Sequence, residues 1–177
     1  MFSENLTGRE ENVSHETGVF IPPDVIKIAH DDMINNEVDE YLSTLVHEYL
    51  HFVSDGYWEE KYNAFFEEGL TEHYTREIMM EMAGCDESWS YPIVVKILRY
   101  MMEDIPDGEF EDIYFLKDGE GLAVILDEKY GDGFYERNLF DFNYIVYSYD
   151  DDAFDKANMI MDQIGGEEIT WGSIYSE

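Results

Sequence analysis

Between Val38 and Val53 the apolar residues Val38, Tyr41, Leu42, Leu45, Tyr49, Phe52 and Val53 return every three or four positions. That is the period of one face of an α-helix. Asn35 or Asn36 can cap the run, and Gly56 follows it as a stop. The helix constrains the rest of the chain through what it carries. His47-Glu48-Tyr49-Leu50-His51 lies in its second half. Residues at i and i+4 share a face one turn apart, so His47 and His51 aim two imidazoles at one point. From Thr44 to Val53 the only charged side chain besides the histidines is Glu48. Neutral imidazole is a good zinc ligand, and a glutamate between two such histidines can act on a nearby water.

A second helix is expected from Asn63 to about Met82, with Gly84 as its stop. Near its start stand Glu67-Glu68-Gly69-Leu70-Thr71-Glu72. One carboxylate from this helix would make a third ligand and leave the fourth position open. Catalytic zinc has that arrangement, whereas structural zinc is closed by four protein ligands. Glu67 and Glu68 lie about 100° apart on the wheel, so they are rivals. Glu68 is preferred because Glu72 stands one turn behind it on the same face.

Elsewhere, Val19 to Ile21 and Val25 to Ala29 read as short strands broken by Pro22-Pro23. Two missing backbone donors make this an edge strand or a bent pair. Further helices are expected over 91–103, with Pro92 in the first turn, over 120–130, briefly after Gly133, and over 151–164. Ile105 to Gly108 reads as a turn. Asp150-Asp151-Asp152 fits a solvated helix start and lacks the spaced oxygens of a calcium loop. His15, His30 and His73 read as surface or satisfied histidines, and Trp58, Trp89 and Trp171 as packing anchors. With 177 residues, 45% of them apolar, the chain can fill the core of a single domain spanning 1–177, its residues 1–17 polar and loose.

Charge narrows the partners. There are 42 acidic residues against 10 basic ones, a formal net charge of −32. Such a surface is not drawn to nucleic acid or to an anionic membrane, both polyanions. It favours divalent metals and cationic ligands. Cys85 is the only cysteine, so no intrachain disulfide is expected. Met1 to Asn12 shows no basic and apolar leader, and no apolar run nears the roughly 20 residues of a membrane span. These features together give the expectation of a cytoplasmic protein.

The pair of motifs, His47-Glu48-x-x-His51 and Glu68-Gly69-x-x-Glu72, resembles the gluzincin zinc peptidases, the group that includes thermolysin and the alanyl-aminopeptidase families. The likeness covers Thr44 to Glu72. Only 16 residues separate His51 from Glu68, as in compact minigluzincin-like versions. The resemblance implies an α+β, zincin-like fold: a small twisted sheet on an active-site helix and a glutamate helix, then a mainly helical C-terminal half. It implies an edge strand over the cleft, Val25 to Ala29 first and Val19 to Ile21 second. It also implies Zn2+ held by His47, His51 and Glu68, with Glu72 orienting His47, Glu48 as general base, and a peptide or protein as substrate. Tyr114, ahead of Lys117 and Gly119, becomes a candidate oxyanion donor, although its spacing departs from the aminopeptidase pattern. Two other readings stand beside this one. An acidic binding protein, a DNA mimic or an inhibitor of a basic partner, accounts for the charge but not for the motifs. A catalytically inactive zincin-fold protein accounts for the ligands but gives Glu48 no task.

Overall fold

The computed structural model describes residues 18–21, 25–28, 38–54, 64–84, 90–106 and 108–175. Two four-residue strands, β1 (Gly18–Ile21) and β2 (Val25–Ile28), pair antiparallel, with Val19 opposite Lys27 and Phe20 opposite Ile26. Seven helices follow among the described residues: α1 (Val38–Val53), α2 (Ala64–Ala83), α3 (Pro92–Asp104), α4 (Glu109–Leu116), α5 (Gly119–Tyr130), α6 (Phe134–Tyr147) and α7 (Asp151–Ile164). A short 3-10 turn, Ser173–Tyr175, comes last.

The fold is therefore mostly helical, and the expected α+β, zincin-like sheet is corrected. The two predicted strands exist, but they zip onto each other as a hairpin. No third strand joins them among the described residues. The reason is in the pattern. Beyond Ile28 every described element is helical, so nothing there offers a further pleated edge. The expectations for residues 1–17, Asn35, Asn36, Gly56, Asn63 and Cys85 fall outside the described residues, as do those for His15, His30, Trp58 and Trp89.

The chain forms two compact units, Met1–Gly56 with Tyr74–Ser88, and Tyr57–His73 with Trp89–Glu177. The first holds the hairpin, which packs against α1, and the C-terminal half of α2. In α1 the apolar stripe read from the sequence is not the buried one. Tyr49, Phe52 and Val53 are exposed, while Ser43, Glu48, Leu50 and His51 are buried, as is Ser54 just beyond the helix end.

The second unit holds the larger core. Phe65 and Phe66 at the start of α2 meet Phe142 of α6, with ring centroids 4.6 and 5.2 Å away. Phe134 and Tyr135 close the same aromatic cluster. Ile93, Val94, Ile97, Leu98 and Met101 fill it from α3, and Leu122 and Leu126 from α5. Polar contacts set the helix ends. Asp118 caps α5 by accepting from the Gly121 amide at 2.8 Å, and Asp150 caps α7 by accepting from Ala153 at 2.9 Å. The three aspartates at 150–152 thus begin a helix, as expected. Asn138 and Gln163 exchange amide hydrogen bonds of 3.0 and 3.1 Å between α6 and α7.

Candidate metal centre

Each part of the candidate site is placed by local structure. On α1, the rings of His47 and His51 lie with centroids 5.0 Å apart and planes at 71°. The i, i+4 spacing does bring two imidazoles to one face. His51 is only 2% exposed and Glu48 7%. Burying such groups in an apolar setting is costly unless they are hydrogen-bonded or coordinated. The Ser54 hydroxyl donates to the His51 carbonyl at 3.3 Å.

On α2 the helix is buried nearly all round over its first half. Phe65, Phe66, Leu70, Thr71 and Glu72 are all enclosed. Gly69 sits where a Cβ would fall 2.3 Å from Leu98 Cδ1 and 2.5 Å from Val94 Cγ1. Absence of a side chain there lets α2 and α3 approach closely. The helix admitted by this glycine is therefore Pro92–Asp104.

The two rival acids have different surroundings. Glu67 is buried and lies 3.9 Å from the Lys117 ammonium. Lys117 also stands 5.0 Å above the ring of Tyr114. Glu68 instead takes a hydrogen bond from the phenol of Tyr91, a residue the sequence reading did not single out. Burial, followed by the charge of Glu68, raises the Tyr91 phenol well above its ordinary range, so it is a neutral donor. Tyr147 on α6 is shifted the same way, by partial burial of its phenol and then by the charges of Glu68 and Glu67. The signal for Tyr91 is backbone strain, not a motif. Among described residues only Tyr91 (φ 51°) and Lys117 (φ 53°) are non-glycines in the left-handed region. Such outliers concentrate at functional sites.

One ligand atom from each of His47, His51 and Glu68 lies within 4.8 Å of the others, so this group can hold a metal ion. The donor chemistry fits. Two imidazoles and one carboxylate are a recognised set for zinc, and tetrahedral bonds of about 2.0–2.2 Å put ligand atoms about 3.4 Å apart.

Tyr114, the candidate oxyanion donor, is fully buried on α4, with its hydroxyl 2.8 Å from Thr71 Oγ1. Thr71 also donates to the Glu67 carbonyl at 2.7 Å. Glu72 is fully buried one turn beyond Glu68. His73 is buried beside it. Trp171 packs its ring against Phe154, with centroids 4.5 Å apart, yet stays 48% exposed, so it is a half-buried contact and not a core anchor. No helix among the described residues is long and apolar enough to cross a membrane. Comparison of the chain with protein-family models, with curated proteins and with solved structures returns no match.

Proposed function

We propose that this chain is a zinc-dependent metallopeptidase carried on a mostly helical scaffold. The observation that supports the reading is the convergence of His47, His51 and Glu68, with buried Glu48 between the two histidines. His47, His51 and Glu68 would hold the ion. Zinc, when bound, supplies a Lewis acid that polarises a carbonyl and acidifies water. Glu48 accepts the proton released by the attacking water and returns it to the leaving amine. The peptide or protein substrate is drawn in by the net charge of −32, which selects for cationic segments.

The extreme charge also supports a second reading, an acidic protein that binds a basic partner. The two respond to different reagents: salt weakens binding between charged surfaces, whereas a chelator abolishes metal-dependent hydrolysis. The test is metal content of the purified protein beside a His47→Ala/His51→Ala variant, together with hydrolysis of a peptide library by wild type and Glu48→Gln. About one zinc per wild-type chain, none in the double variant, and hydrolysis lost in Glu48→Gln with metal retained is the expected result. Wild-type protein that takes up no metal from solution refutes the proposal.

A further inference from the structure

The two strained non-glycine residues flank one short stretch of α2. Lys117 reaches Glu67, and Tyr91 reaches Glu68, the next residue along. Tyr91 stands at the N-cap of α3 with φ 51° and ψ 43°, immediately before Pro92. That conformation is unfavourable for a bulky side chain, and a following proline restricts the backbone further. Nor is the side chain used to cap the helix it precedes; the N-cap residue makes no side-chain cap bond. The backbone carbonyl alone serves the helix, accepting from Val95 at 2.9 Å. What the strained conformation does is deliver the phenol to Glu68. The close contact of α2 with α3 at Gly69, one residue on, fixes the distance over which it is delivered.

We propose that Tyr91 is a positioning residue that fixes the Glu68 carboxylate for the metal. Its phenol donates to the carboxylate and so restricts how that group can turn toward an ion. Lys117 does the complementary task of occupying Glu67, so that the two consecutive acids are sorted into one metal ligand and one ion-pair partner. This inference rests on the metal-site reading above, and it adds a residue that no HExxH pattern contains. Outer partners of metal ligands commonly contribute a factor of ~10–100 in metal affinity.

The experiment compares wild type, Tyr91→Phe and Tyr91→Gly. Zinc affinity is read by competition with a chromophoric chelator, and coordination by the visible absorption of the cobalt-substituted proteins. Tyr91→Phe keeps the ring and deletes one oxygen. Tyr91→Gly also releases the backbone, so a common loss in both assigns the effect to the phenol. The expected result is a ~10–100-fold weaker zinc affinity in both variants, with an altered cobalt spectrum. Wild-type affinity and spectrum in both variants overturn the role of Tyr91 and leave the metal site standing. Absence of metal binding in wild type overturns the metal site itself and this inference with it.

Discussion

Replacing Gly69 by alanine puts one methyl group into a space that α3 already occupies. The new carbon would lie 2.3 Å from Leu98 Cδ1 and 2.5 Å from Val94 Cγ1. Carbon atoms prefer about 3.5–4.0 Å, so both contacts are short by roughly 1 Å or more. Leu98 and Val94 are fully or almost fully buried and have no solvent to swing into. Val94 is also β-branched and stiff at χ1. The helices must therefore separate, at a cost of about 1–3 kcal/mol for overpacking. Alanine returns about 1 kcal/mol through its better helix propensity. The net loss is roughly 0–2 kcal/mol, and in a chain of this size each kcal/mol lowers the melting temperature by about 2–4 °C. A sharper test is the double-mutant cycle with Leu98→Ala. That substitution alone costs about 2–5 kcal/mol, but it removes the nearer of the two obstructing atoms. In its background the Gly69→Ala penalty should shrink or reverse, giving a coupling of about 1 kcal/mol or more. Urea unfolding of the four proteins measures it. Additivity to within about 0.5 kcal/mol would refute the close-approach argument.

Two further predictions follow from buried phenols. Tyr114→Phe should lower stability by about 1 kcal/mol through loss of the Thr71 contact, with turnover retained; a drop in turnover at unchanged stability would instead place Tyr114 at the reacting carbonyl. The Tyr130 hydroxyl is buried without a hydrogen-bond partner among the described residues, and burial, then the charge of Asp104, lifts its pKa above the ordinary 10.0. A raised folded-state value means stability is fully present below the unfolded pKa and is lost as pH climbs through the folded one. Denaturant midpoints should therefore fall above roughly pH 10, and Tyr130→Phe should flatten that fall. A Tyr130→Phe protein with an unchanged alkaline slope would remove this residue as the cause.

Much of the chain was legible because its punctuation is local. The 151–164 helix, with Asp150 before it and Gly165 after, appears as read, and so does the helix that ends at Gly131. The candidate metal cluster was legible because helical spacing is a rigid ruler: His47 and His51 had to share a face, and Glu68, not Glu67, is the acid grouped with them. Three things were not legible. Helix Glu109–Leu116 is eight residues long and has glycine at its N-cap, so it offers too few turns for a period and no polar capping side chain. The helix after Gly133 runs to Tyr147, longer than expected. The partner of Glu68 was hidden because Tyr91 lies 23 positions away in sequence, and a left-handed tyrosine leaves no mark in residue patterns. The sheet was over-read for a different reason. It came with the family resemblance, whereas the strand signals themselves extend only to the two segments that form the hairpin.

The burial pattern of α1 carries a consequence for how this helix is oriented. A helix in water rolls so that its greasiest side faces inward, yet α1 keeps phenylalanine, valine and tyrosine outside and histidine, glutamate and serine inside. Apolar burial alone would favour turning it about its own axis. The inward polar groups, together with buried Leu50, oppose that turn, and a ligand that engaged the histidines would favour the observed roll further. A ligand that grips the two histidines acts as a torsional lock on the segment that carries Glu48.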